Sequence, residues 1–563
     1  MTNYFVTAGS KCEDEITAAE GTLAFHAVKH HHSFLSMDCT SVLLKKIFPD
    51  SNVAKKFSSG RTKTEKVVTS VLAQYSIDAA LKSFEENDIA YCGVATDGSN
   101  HNELKVFPII IQYFDWRKGG LQSKLIEFTN KANETADTIA TYVKDTLEKR
   151  MLLKKCVAFT GDNCNTMFGG LRRNEQGNNV FAKLKKVLNP SLIGVGCSAH
   201  VLNNCIHHGA ERINIDIENN INKIYQYFSI YTIRTEQLKE YCEFVNCEYK
   251  RLLSHGRTRW LSLFPGISRL LEMFSPLKSY FLSQEHPPIV IKRFFENEMS
   301  ELYLWHMHSL MSVFHGRIQV VERENNSVAE VLENLELVHK ELVERKNENF
   351  MSLKVKRLLN EKREEGYEDE CNNFLSEVAN LYERCLEYLC KWMKPMEEFA
   401  CFKWMTLNEI PSWKDVEPCL EYLIGKGVDV DDAKCFDQIC NLKQFAESYL
   451  QDEEFIKLPT HKKWCKYFDQ STNITCHSEI LRIVQFFFAV TSHNANVERV
   501  FSLMQSQWSK ERNKLSVATM KGILTLQYNF KDMCCSEFFS FLKSDKALLK
   551  RIRSSEKYAW SEE

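Results

Sequence analysis

Two aspartates in this sequence occupy matching local settings. Asp97 ends the apolar run YCGVATD and opens the polar turn GSN, while Asp162 ends KKCVAFTGD and opens NCN. A strand-terminal carboxylate has two uses. It caps the turn that follows, because Asp bonds to backbone a residue or two further on. Beside a second carboxylate on a neighbouring strand end, it also holds a divalent ion. Mg2+ suits such a pair because it prefers hard oxygen ligands and keeps several waters. Glu498 is the third acid of interest. Val497, Phe501, Met504 and Trp508 mark the buried stripe of a helix, and at about 100° per residue Glu498 lies at the edge of that stripe. A first-turn glutamate is also favoured simply by the helix dipole. Together the three acids would complete a two-metal site, one ion activating the attacking oxygen and the other stabilising the leaving one.

The elements that must position these acids follow from local patterning. YCGVATD, KVFPIIIQYFDW and LQSKLIEFTN read as three strands joined by the turns GSNHN and Lys118-Gly119-Gly120. Residues 133–150 read as a helix, with Ile139, Val143 and Leu147 at four-residue spacing and a basic last turn. KKCVAFTGD is a fourth strand and SLIGVGCSAH a fifth, ending near Cys197. A meander followed by alternating units is an α/β arrangement of RNase H type.

The rest of the chain is expected to be helical. The chain has 563 residues, with only 21 Gly and 11 Pro, which leaves few breakers. In residues 210–485, Val331, Leu335, Val338 and Leu342 form one apolar seam, and Phe374, Val378, Leu381, Cys385 and Leu389 form another. Each seam is short, so packing inside a helical domain is expected rather than a coiled coil. IVQFFFAV and VFPIIIQYF are strand-sized, and no apolar run reaches membrane-spanning length. Lys plus Arg is 72 against 74 for Asp plus Glu, so any nucleic-acid surface must be a local stripe. Twenty cysteines are scattered without a C-x-x-C pair or a signal peptide, which fits reduced thiols. The cluster His26, His30, His31 and His32 reads as a solvated helix face.

Five segments, in order, resemble the hAT superfamily of transposases. ATDGSN and FTGDN look like its first and second acid motifs. Cys197-Ser198-Ala199-His200 resembles its C-x-x-H motif, and Arg257-Thr258-Arg259-Trp260-Leu261-Ser262 its T-R-W-x-S motif. Asn494-Ala495-Asn496-Val497-Glu498-Arg499-Val500-Phe501-Ser502, followed by Lys510-Glu511-Arg512-Asn513-Lys514-Leu515, looks like its C-terminal signature. More than half of the chain separates Asp162 from Glu498, as a large insertion in an RNase H-like fold would require.

The resemblance implies α/β plus all-α architecture, an RNase H-like mixed sheet core interrupted by a helical insertion. Five regions are expected: an N-terminal helical region over 1–88 without a zinc finger; a first core part over 89–209; the insertion over 210–485; core completion with a dimerisation region over 486–535; and a tail over 536–563. It also implies metal-dependent DNA cleavage and strand transfer by Asp97, Asp162 and Glu498, with Mg2+ or Mn2+ bound to these acids. Arg257 and Arg259 would contact phosphate and Trp260 would stack on a flipped base, worth roughly 1–3 kcal/mol. Read without the family, Trp260 is a core aromatic beside Leu261 and Leu263. Cys197 and His200 would lie next to the active site. Cys205, His207 and His208 follow nearby, but the set lacks a second pair at zinc-finger spacing. Expected partners are DNA, at transposon ends or derived sites, and a second copy through the C-terminal region, with no membrane; the expected location is the nucleus. The alternative is a domesticated descendant that binds DNA or protein without cutting.

Overall fold

The computed structural model describes residues 2–170, 176–254, 263–323, 325–470 and 478–559. It divides into two compact units: Met1–Val195 with Trp404–Glu563, and Gly196–Lys403.

The first unit is built on a mixed sheet of six strands: β1 (Cys92–Thr96), β2 (Ser99–His101), β3 (Leu104–Asp115), β4 (Gly120–Asn130), β5 (Cys156–Gly161) and β6 (Ile193–Gly196). The order is β2-β3-β1-β5-β6, with β4 on β3. β1 and β4 each run antiparallel to β3, and β1 runs parallel to β5. The five expected strands are present. The turn after Asp97 adds a sixth, because Ser99–His101 pairs back onto Leu104–Val106. The tight connection from β3 to β4 depends on Gly119, whose φ of 82° is a left-handed conformation that side chains disfavour.

Neighbouring residues of β3 point to opposite faces, and both faces are covered. Gln112 and Phe114 meet the helix Glu479–Ala489: the Gln112 amide donates to the Phe488 carbonyl at 2.8 Å, and Phe114 stacks on Phe488 at 5.0 Å. Tyr113, between them, packs on Phe84 of the helix Ala73–Glu86. Strand-sized IVQFFFAV is thus part of a helix. Ser478 caps its first turn by accepting from the Leu481 amide. Only Glu479, Arg482 and Gln485 interrupt its apolar residues, at three-residue spacing, and Glu479 and Gln485 are themselves buried. Gly93 in β1 lets this helix approach, since a Cβ there would collide with the Ala489 carbonyl oxygen.

Farther along the same face, Ala95, Val106, Ile110, Leu125 and Phe128 form one core with Val497, Val500, Phe501, Met504 and Trp508 of the helix Ala495–Gln507 and its C-cap. Met520, Leu524 and Tyr528 of the helix Val517–Asn529 join them. The apolar residues of this last helix are therefore consumed within the chain. Asn529 also completes the edge of β4: its side chain accepts from the Leu125 amide at 2.8 Å and donates to the Leu125 carbonyl at 3.1 Å.

The described chain opens on a 28-residue helix, Thr2–Lys29. Near the other end lie the helices Cys535–Ser544 and Lys546–Arg553. Phe538, Leu542, Leu548, Leu549 and Ile552 from these helices bury against Phe25, Val28, Val67, Val68 and Leu72. The compact helical unit ends at Lys403. Beyond it, the helix Thr460–Gln470 brings Phe468 within 6.1 Å of Phe114 and 6.2 Å of Trp116 in the sheet unit.

The second unit is helical. Val331, Leu335, Val338 and Leu342 are fully buried on the helix Val328–Asn347, which opens with a capping box between Ser327 and Glu330. Phe374, Leu381, Cys385 and Leu389 are equally buried on Glu368–Met393. Cys205 of the helix Ser198–Ala210 points its thiol at the Cys385 carbonyl. The described cysteines throughout are free thiols. No helix among the described residues is long and apolar enough to cross a membrane.

Candidate active site

Asp97 and Asp162 are brought together by strand register. β1 and β5 are parallel neighbours with Ala95 opposite Thr160, and each aspartate follows two residues later. Both strands are buried along their whole length, and both aspartates emerge half-buried at the same end of the sheet. Each carboxylate engages its own turn, as a strand-terminal Asp does. Asp97 Oδ1 accepts from the Gly98 amide at 2.7 Å, and Asp162 Oδ1 accepts from the Cys164 amide at 3.3 Å.

Glu498 lies in the first turn of the helix Ala495–Gln507, half-buried at the edge of its apolar stripe. The start of that helix is tied to the first acid: the Asn494 side-chain amide donates to Asp97 Oδ2 at 3.0 Å. Asn494 is wholly buried, and its carbonyl accepts the Glu498 amide at 3.0 Å. Asn496 pins the same turn to β4, donating to Ser123 Oγ at 3.1 Å and accepting from the Tyr528 hydroxyl at 2.9 Å. Asn494 and Asn496 thus have separate jobs, one at the acid and one at the sheet edge.

The segment leading into this helix was the part least visible in the sequence. Thr491, Ser492, His493 and Asn494 are polar yet buried. The Thr491 carbonyl accepts from Thr160 Oγ1 on β5 at 2.6 Å, two residues before Asp162. Burial holds the His493 imidazole well below its usual range, at about 4, so it is neutral at pH 7. The available signal was a polar stretch directly after an apolar run, which reads as a surface loop.

The ligand atoms of Asp97, Asp162 and Glu498 do not form a set lying within 4.8 Å of one another. Two ions about 3.5–4 Å apart are held by carboxylates spread around both, so a two-metal site does not require that closeness. If the three shared ions, their donor set would be all carboxylate oxygen, which suits Mg2+ or Mn2+. Cys197 directly precedes the helix Ser198–Ala210 and is buried, while His200 sits half-buried in its first turn; both belong to the helical unit. Arg257, Arg259 and Trp260 lie outside the described residues. No protein-family model matches this chain, and no curated protein matches it significantly.

Proposed function

We propose that the protein is a hAT-type, transposase-like enzyme whose core is RNase H-like with a helical insertion, and that it cleaves and joins DNA with Asp97, Asp162 and Glu498. The observation that carries this reading is the register of β1 against β5: it sets two aspartates on adjacent strand ends, and Asn494 links the helix of Glu498 to the first of them. The motif resemblance supplies the reaction class. It is hydrolysis of a phosphodiester, followed by attack of the released hydroxyl on another phosphodiester.

In this reading the three carboxylates hold Mg2+ or Mn2+. Bound ions would neutralise phosphate charge and strengthen a water nucleophile, which a poor electrophile such as a phosphodiester requires. The chain itself orients the ligands. The Gly98 amide and the Asn494 side chain fix the Asp97 carboxylate from two sides, and the Cys164 amide fixes Asp162. A carboxylate oxygen has two lone pairs, so one hydrogen bond does not by itself bar a cation. Arg257 and Arg259 would hold phosphate and Trp260 a flipped base, on the resemblance alone. A nuclear location accompanies the DNA role. Self-association would use surfaces other than the apolar residues of Val517–Asn529, which are buried in the chain.

A second reading is a descendant that binds DNA without cutting it. It is favoured by the hydrogen bonds to Asp97, which also serve folding. The two separate in one assay: Mg2+-dependent nicking of DNA that carries any inverted repeats found flanking the gene. The enzyme reading expects nicks that Asp97→Ala and Glu498→Gln abolish. Nicking unchanged in either variant would remove the trio assignment, and binding without nicking would select the second reading.

A further inference from the structure

The helix Ser198–Ala210 ends in a cluster that the acid site does not use. His207 Nδ1 lies 3.6 Å from one carboxylate oxygen of Glu211, and His208 Nδ1 lies 3.1 Å from the other. One ligand atom from each of the three residues falls within 4.8 Å of the others. Helix geometry explains the grouping. Glu211 follows His207 by four residues and His208 by three, so its carboxylate reaches between the two imidazoles.

The two imidazole–carboxylate spacings are near those of ligands on one ion, and small side-chain rotations would bring all three ligand atoms onto it. With metal–ligand bonds of about 2.0–2.1 Å, adjacent ligand atoms stand roughly 3–3.5 Å apart. The chemistry selects the ion as well. Two imidazole nitrogens and one carboxylate oxygen suit Zn2+ and neighbouring late first-row divalent metals, not Mg2+ or Ca2+. His208 is held by more than its own helix: its ring lies 5.0 Å from that of Tyr388 on Glu368–Met393, whose hydroxyl accepts from the Asn204 amide at 3.2 Å. Such outer contacts orient a ligating imidazole.

His207 and Glu211 also line a cavity of about 770 Å³, together with Asn214, Asp216 and Glu218. Glu211, Asp216 and Glu218 put three carboxylates on its described wall. All of these residues belong to the helical unit. We infer that His207, His208 and Glu211 form a transition-metal site for Zn2+ or a similar divalent ion, made of residues different from the Asp97–Asp162–Glu498 set. Three protein ligands leave a four-coordinate ion one position for water or an incoming anionic or neutral donor.

The test uses the full chain, stripped of metal and kept reduced, titrated with Zn2+ by calorimetry in excess Mg2+. His207→Gln, His208→Gln and Glu211→Gln are compared with the unaltered protein and with Asp97→Asn. The expected result is one Zn2+ site weakened by at least about tenfold in each of the three variants and unchanged in Asp97→Asn. Absence of Zn2+ binding by the unaltered protein would overturn the inference, leaving Glu211 as an ion-pair partner of the histidines. So would equal affinity in Glu211→Gln, which keeps the side chain's size. If His208→Gln loses its fold through the Tyr388 contact, as read by circular dichroism without metal, His207→Gln and Glu211→Gln decide the matter.

Discussion

At the scale of single residues, the candidate site is a case of polar groups buried for a reason. Asp97, Asp162 and Glu498 were identifiable from the sequence because two end apolar runs and one flanks a helical stripe. Their supporting residues were not. Asn494 and His493 are buried only because the chain passes beneath the strand ends, a tertiary fact with no local signature. His493 gives a testable consequence. Its folded value, about 4, lies below its ordinary 6.5, so the unfolded chain binds a proton first as pH falls. Its effect is absent above about pH 6.5, and stability is lost between there and about pH 4, where the folded protein protonates as well. The loss at pH 5 is about 2 kcal/mol. His306 and His461, both also lowered to about 4 by burial, act in the same direction. Urea melts at pH 7 and pH 5 should therefore show a smaller drop for His493→Gln than for the unaltered protein. An identical drop would mean that this imidazole is not buried in neutral form.

At the scale of elements, the strands and their order were legible, and one helix was not. Short apolar runs ending in turn residues gave β1, β3, β4, β5 and β6 their places. IVQFFFAV had strand length, and the only helical signal was the three-residue spacing of Glu479, Arg482 and Gln485 across and before it, since the rest of the helix Glu479–Ala489 is apolar and buried. Gly93 is the sheet's accommodation to that helix. Gly93→Ala should destabilise the protein by about 1–3 kcal/mol, since a backbone oxygen stands where the new methyl group must go. In contrast, Gly316→Ala, in the helix Ser300–Val321 with open space around it, should be stabilising by up to about 1 kcal/mol. Thermal melts of the two variants that shift in the same direction would contradict this packing.

At the scale of the whole molecule, the ends of the described chain meet. Thr2–Lys29 and the helices Cys535–Ser544 and Lys546–Arg553 share one core, a pairing across more than 500 residues that no local pattern announces. Each large apolar side chain fully buried there contributes about 1.5–3 kcal/mol. Removing residues 536–563 should therefore strip Thr2–Lys29 of protection in hydrogen exchange and promote aggregation. Unchanged protection would show that the N-terminal helix stands without its C-terminal partners. The helical unit Gly196–Lys403 was legible as a class through its seams, but its limits were not, because the helices after Trp404 have the same composition and differ only in what they pack against.

The central claim is that three acids far apart in sequence share divalent ions. Crystals grown with Mn2+ test it most directly, through anomalous scattering. The account predicts Mn2+ within about 2.0–2.2 Å of carboxylate oxygens from both Asp97 and Asp162, with Glu498 on the same ion or its neighbour. Mn2+ absent from the ends of β1 and β5, or bound there with the Glu498 carboxylate directed elsewhere, would contradict it.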